Sequence, residues 1–134
     1  MIIEDYTPVY FETIKRQPTP LVYEGKFVHV AGPREEFLLL APTQMCKYHA
    51  QIVAHFSSLR DDVRFVLASD DGHFKTPGWS TRGGGRFRLD RAGRHLWLWG
   101  ASKAYGAFEG GAIREELRTV TDLEGYEVRV EEPK

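Results

Sequence analysis

The stretch RFRLDRAGRHLWLWG, residues 86–100, decides the fold of this chain. Every second residue is apolar over 86–89, and 95–99 is a short apolar run rich in tryptophan, and both patterns are typical of β-strands. Between the two runs, Asp90 and Gly93 are residues that favour a turn. The stretch therefore predicts two adjacent strands joined as a hairpin.

Further β-prone runs lie on both sides of this hairpin. KFVHVAG (26–32) and EFLLLAP (36–42) are separated only by PRE, which predicts a second hairpin. DVRFVLAS (62–69) predicts a further strand, and the alternating YEVRVEE (126–132) predicts a last one.

Two segments have the apolar spacing of helices. TQMCKYHAQIVAHFSSL (43–59) predicts the first helix, beginning at Thr43 or a later residue, and FEGGAIREELRTV (108–120) predicts the second. Residues 70–85 are rich in glycine, proline and polar side chains, and we expect an irregular loop there. The prolines in residues 1–24 favour an extended arm or edge strand over a helix.

This order of elements predicts an α/β fold. We expect a single mixed β-sheet of five or six strands packed with two main α-helices, because hairpins and crossovers alternate along the chain. Residues 1–134 are expected to form one domain, and their composition of 42% hydrophobic and 28% charged residues is typical of a globular protein.

Charge and cysteine content limit the functions that fit. The formal net charge of −1 argues against bulk attraction to nucleic acid or to anionic membranes, so an anion site must be local. Cys46 is the only cysteine, which favours a reducing, cytoplasmic location. No stretch resembles an export signal or a membrane span, and we expect a monomer with no membrane partner.

WGASKAYGAF (99–108) stands where a strand leads into a helix. Its small residues would leave backbone N–H groups accessible to an anion, and Ser102 could add a hydroxyl donor. The alternative is that small residues only let the second helix pack closely on the sheet.

Two other features could contribute chemistry to such a pocket. His49, near the start of the first helix, could act as a base, acid or nucleophile, or could be a buried core histidine. RGGGR (82–86) could place arginines against a phosphate, or could be a flexible lead into a strand. The five histidines and Cys46 do not form a metal-ligand pattern, so we expect no metal and no cofactor, and Cys46 to be a small buried thiol.

Taken together, KYHAQI (47–52), GGGRFRL (83–89), WGASKAYGAF (99–108) and GYEVRV (125–130) resemble motifs of the Janus/Ocnus family. Characterised members of that family are protein phosphohistidine phosphatases. The resemblance covers roughly residues 24–131. It implies a small α/β domain that hydrolyses the phosphorus–nitrogen bond of phosphohistidine in a protein or peptide without a metal ion.

The resemblance also implies roles for individual residues. His49 matches the family's catalytic histidine, which acts as the base that activates water. Lys26 is similar to a lysine that approaches the phosphate, and Arg86 to the arginine after the triple glycine. The phosphate, or a sulfate in its place, would be held by the backbone N–H groups of Tyr48, His49, Ser102, Lys103 and Ala104.

Two other functions fit the same residues. The first is a binding module that holds a phosphorylated partner or an anion without turning it over. The second is a surface for single-stranded nucleic acid, which the neutral net charge disfavours. That surface would consist of Arg82, Arg86, Arg88, Arg91 and Arg94 with Trp97 and Trp99, unless alternation buries the tryptophans in the core.

Overall fold

A computed structural model describes residues 1–68 and 71–132. The strands are β1 (Ile2–Asp5), β2 (Val22–Ala31), β3 (Glu36–Pro42), β4 (Phe65–Ala68), β5 (Asp71–Phe74), β6 (Ser80–Asp90), β7 (His95–Trp99) and β8 (Glu127–Val130). The helices are α1 (His49–Ser58) and α2 (Gly110–Leu117), with a π-helical turn at Val9–Ile14 and a 3₁₀ turn at Thr121–Leu123.

Six of the strands form one mixed sheet in the order β1-β3-β2-β6-β7-β8. The two predicted hairpins, β2–β3 and β6–β7, are antiparallel, and β2 also pairs with β6. The edge strands β1 and β8 pair in parallel with β3 and β7. The expected α/β fold with one main mixed sheet and two helices is therefore confirmed.

The two helices cover opposite faces of this sheet. Phe27 packs in a cluster with Ile113 of α2, whereas the next residue of β2, Val28, packs in a second cluster with Ile52 and Phe56 of α1. Because successive strand residues point to opposite faces, α1 and α2 lie on opposite sides. Each such fully buried side chain contributes about 1.5–3 kcal/mol to stability.

The N-terminal segment is both strand and helix. Ile2–Asp5 forms the expected edge strand beside β3. The preference for an extended arm or edge strand over a helix does not hold for Val9–Ile14, which forms a π-helical turn. Pro8 precedes this turn with φ −59°, the helical value that its ring imposes, and Tyr10 is buried within it.

The first helix is shorter than the region in which it was predicted. Tyr48 is extended at φ −116° and ψ 149°, so α1 begins only at His49. Before it, the N–H groups of Met45 and Cys46 both bond to the carbonyl oxygen of Pro42, which forms a turn instead of a first helical turn. His49 consequently lies at the N-terminus of α1.

The prediction of an irregular loop over 70–85 is wrong for most of its length. Asp71–Phe74 is strand β5, and residues 80–85 form the first half of β6. β5 pairs with β4 in a separate two-stranded antiparallel sheet. The predicted strand 62–69 begins only at Phe65, and its last residue, like residue 70, is outside the described ranges.

Candidate active site

A cavity of about 500 Å³ opens at the N-terminus of α1. Its walls come from β2, β5, β6, the start of α1 and the loop that follows β7. The lining residues are Lys26, Tyr48, His49, Asp71, Arg86, Ala101, Lys103 and Ala104. Except for Ser102, every site residue predicted from the sequence lines this one cavity.

Strand register brings the basic residues together. Lys26 of β2 lies opposite Arg86 of β6, and Arg86 lies opposite Trp99 of β7. The chain leaves β7 directly after Trp99, so the loop with Lys103 and Ala104 begins beside Arg86. The β2–β6 pairing is irregular between Val28 and Val30, and such irregularities are common next to active sites.

His49 is held against β6 by its side chain. His49 is 6% exposed, and its Nε2 atom lies 2.9 Å from the carbonyl oxygen of Gly85. A carbonyl oxygen can only accept, so Nε2 carries the proton and Nδ1 carries the lone pair. Within residues 1–68 and 71–132, no group forms a hydrogen bond with Nδ1.

The surroundings of His49 favour its neutral form. Burial lowers the pKa of the imidazole below its ordinary value, and the positive charges of Lys26 and Arg86 act in the same direction. The hydrogen bond to Gly85 opposes this change but does not reverse it. A neutral imidazole with a lone pair can accept a proton from water at neutral pH.

The triple glycine makes room for the histidine. A side chain at Gly84 would meet the carbonyl oxygen of Phe27, and its Cβ would lie 3.0 Å from Cδ2 of His49. Gly83 has φ +105° and lies against the backbone of Ala107, which excludes other residues on both counts. The interpretation of this run as a flexible lead into a strand is therefore wrong, because the glycines are buried inside β6.

The loop after β7 is closed by its own backbone. The N–H of Ser102 bonds to the carbonyl of Gly106 at 3.0 Å, and the N–H of Gly106 bonds back to Ser102 at 2.7 Å. The Ser102 hydroxyl oxygen accepts the N–H of Tyr105 at 3.0 Å. Lys103 and Ala104, at the tip of this turn, have no backbone hydrogen-bond acceptor among the described residues.

Two of the backbone N–H groups that the resemblance implies as phosphate donors already donate hydrogen bonds within the protein. Tyr48 donates its N–H to the side-chain oxygen of Gln51 at 2.9 Å, and Ser102 donates to Gly106. The N–H groups of His49 and Ala50, as the first two of α1, have no intrahelical acceptor. The amides of His49, Lys103 and Ala104 therefore have no acceptor in the described part of the chain and belong to residues that line the cavity.

Positive charge concentrates on one side of the cavity. Lys26 donates to the carbonyl oxygen of Lys47 at 2.6 Å. Burial lowers the pKa of Lys26, and the neighbouring charges of Arg86 and Lys47 lower it further. An anion between these cations relieves their mutual repulsion, so the cavity favours a ligand of negative charge.

The tryptophans of β7 are not part of the core. Leu96 and Leu98 face α2, whereas Trp97 and Trp99 are half-buried on the other face, with ring centroids 5.0 Å apart. The interpretation that alternation buries these tryptophans in the core is therefore wrong.

The arginines near Trp97 and Trp99 have partners within the protein. Arg88 lies 3.8 Å from a carboxylate oxygen of Glu24. Arg91 donates to the backbone carbonyls of Thr19 and Pro20, each at 3.0 Å. Arg91 is therefore held by the protein's own backbone, whereas Arg88 is exposed.

Sequence reasoning missed Asp71 and Ala101 as lining residues. Asp71 falls in the segment predicted to be irregular, and no pattern in the sequence connects it to His49. In the described part of the chain, no three His, Cys, Asp or Glu side chains group closely enough to hold a metal ion. None of its helices is long and apolar enough to cross a membrane.

Comparison of the chain with models of known protein families and with curated protein sequences found no match. The resemblance to the Janus/Ocnus family consequently rests on the four motifs, and the function is a matter of proposal.

Proposed function

We propose that this protein is a phosphatase that hydrolyses the phosphorus–nitrogen bond of phosphohistidine in proteins or peptides, with His49 as the general base and no metal ion. One observation carries the proposal. A histidine whose surroundings favour the neutral form shares a cavity with three cationic side chains and with backbone amides free to hold a phosphoryl group.

Binding comes first. The phosphoryl oxygens accept hydrogen bonds from the amides of Lys103 and Ala104 and from the N-terminus of α1, where the helix dipole favours negative charge. Lys26 and Arg86 balance the remaining charge from the sheet side. Fixed dipoles and charges of this kind supply most of the catalysis in phosphoryl transfer.

Hydrolysis then needs one proton acceptor. Nδ1 of His49 takes a proton from a water molecule, and the water oxygen attacks phosphorus in line with the bond to the leaving nitrogen. The ring leaves while its other nitrogen carries a proton, so the bond breaks with its electron pair on the leaving nitrogen and gives phosphate and a neutral histidine side chain. General-base help contributes on the order of 10²–10⁴-fold to the rate.

The decisive experiment measures phosphate release from a phosphohistidine peptide. His49→Ala should lose activity by about 10²-fold or more, whereas the exposed His95→Ala should behave like the unsubstituted protein. Activity should persist in the presence of a chelator. Full activity in His49→Ala, or complete loss on chelation, would contradict the proposal.

A binding module remains the second candidate, because the cations and amides would hold an anion even without the histidine. Calorimetry with inorganic phosphate distinguishes the two. Binding without any phosphate release from the peptide favours the module. Single-stranded nucleic acid is the least supported ligand, because the formal net charge is −1 and Arg91 already donates to two backbone carbonyls. Salt-dependent binding that is lost in Trp99→Ala would support it instead.

We also propose a cytoplasmic location. Cys46 is free and buried in the structure, which suits a reducing compartment.

A further inference from the structure

The cavity contains one acidic side chain that the proposed mechanism does not use. We infer that the carboxylate of Asp71 selects substrates whose leaving group is a protonated nitrogen, such as an imidazole ring carrying a proton or an amine. The inference rests on the proposed phosphatase function and specifies its substrate class.

A hydrogen bond to Gly72, the residue after Asp71, connects β5 to the loop that follows β7. Asp71 is the first residue of β5, and the hydroxyl of Tyr105 donates to the carbonyl oxygen of Gly72 at 3.3 Å. Tyr105 belongs to the turn that presents Lys103 and Ala104. The two-stranded sheet is therefore tied to the loop whose amides face the phosphoryl group, and Asp71 lines the cavity with them.

A carboxylate is out of place in a cavity that binds phosphate alone, because two negative charges repel each other. It would be neutralised if a cation of the protein paired with it. Within the described ranges, however, no Lys, Arg or His nitrogen lies within 4.0 Å of the Asp71 carboxylate. Asp71 is exposed and its carboxylate is solvated, so it is free to pair with a positively charged group of a ligand bound in the cavity.

Phosphohistidine can supply such a charge. One ring nitrogen bonds phosphorus, and the other can carry a proton, which makes the ring cationic. The Asp71 carboxylate accepts a hydrogen bond from that N–H and favours the protonated ring, as an opposite charge within reach does.

Protonation makes the ring a better leaving group. When water attacks, its proton goes to Nδ1 of His49, the phosphorus–nitrogen bond breaks, and its electron pair stays on the ring nitrogen. A protonated ring then leaves as neutral imidazole, whereas an unprotonated ring would have to leave as an anion. An aryl phosphate ester has no such proton, so Asp71 gives it only repulsion.

The test compares two substrates and two variants. An opposite charge shifts a pKa by about 1–3 units, so Asp71→Asn should lower kcat/KM for a phosphohistidine peptide about tenfold or more at pH 8. The loss should shrink toward pH 6, where the ring is protonated without help. With 4-nitrophenyl phosphate the same variant should be unchanged or faster.

Asp61→Asn is the matched control, because it removes one exposed carboxylate from the turn after α1. Thermal unfolding of both variants checks that the fold is intact. Equal losses on both substrates, or no loss on either, overturn the role of Asp71 while leaving the phosphatase proposal standing. If the unsubstituted protein does not hydrolyse the phosphohistidine peptide, both proposals fail.

Discussion

Nε2 of His49 donates a hydrogen bond of 2.9 Å to the carbonyl oxygen of Gly85, and this contact determines which ring nitrogen can act as a base. The proton of the neutral imidazole is therefore on Nε2, the ring nitrogen that faces β6. The lone pair of Nδ1 is on the opposite edge of the ring, away from the glycines of the strand.

The pH dependence of hydrolysis follows from the lowered pKa of His49. A base must be unprotonated, so activity is present above the pKa of the folded protein and is lost as the pH falls through it. The acid limb of kcat/KM should therefore lie below 6.5, the ordinary histidine value. Rates for a phosphohistidine peptide between pH 4.5 and 8, corrected for spontaneous hydrolysis, check this, and a limb at or above 6.5 would count against a buried neutral base.

Gly84→Ala should damage both the site and the fold. The added methyl group would overlap the carbonyl of Phe27 and press on the His49 ring, which typically costs about 1–3 kcal/mol. Gly111→Ala is the control, since its methyl group meets no atom within 4 Å in α2. It should raise stability by up to about 1 kcal/mol. Urea unfolding measures the free energy of unfolding of both variants. A Gly84→Ala protein with normal stability and activity would show that the close contacts of Gly84 are not required.

Arg86→Met should weaken the hold on phosphate. A hydrogen bond to a charged group contributes about 1.5–3 kcal/mol, so inhibition by inorganic phosphate should become about tenfold weaker or more. Arg118→Met, on the exposed end of α2, removes the same charge far from the cavity and should leave inhibition unchanged. Identical inhibition of the two variants would show that Arg86 is not a phosphate ligand.

Cys46 should be inert in the folded protein. It is 3% exposed, and burial raises the pKa of its thiol to about 11, so only about a thousandth of it is thiolate at pH 8. Alkylation by iodoacetamide should be slow until denaturant is added, and Cys46→Ser should keep full hydrolytic activity. Rapid labelling accompanied by inactivation would instead indicate a cysteine nucleophile.

Local patterns were sufficient to predict the two hairpins and both helices. The alternation in 86–89 and the apolar run 95–99 belong to two strands that pair with each other across a short turn. β5 was missed because DGHF has no β-prone pattern, and its strand forms only through pairing with β4. The parallel pairing of β1 and β8 at the two edges depends on contacts distant in sequence, which spacing alone does not contain.

The candidate site was also predicted only in part from the sequence. The motifs around His49, Arg86 and Lys103 were enough to predict residues that meet in one cavity. They could not show that the amides of Tyr48 and Ser102 are already hydrogen-bonded, because that depends on the rotamer of Gln51 and on the shape of one turn. The motifs also suggested that the triple glycine 83–85 is flexible. Its close contacts with neighbouring strands and loops are present only in the folded chain.

The three tryptophans are all half-buried and form two separate groups. Trp79 lies in an aromatic cluster with Phe37, Phe56 and Phe74, whereas Trp97 and Trp99 contact each other outside the core, next to Arg86. The intrinsic fluorescence of the protein therefore has two independent sources. Emission from Trp79 reports on unfolding. Trp99 pairs with Arg86, which lines the cavity, so emission from the Trp97–Trp99 pair is expected to change when a ligand binds to Arg86, without any added label.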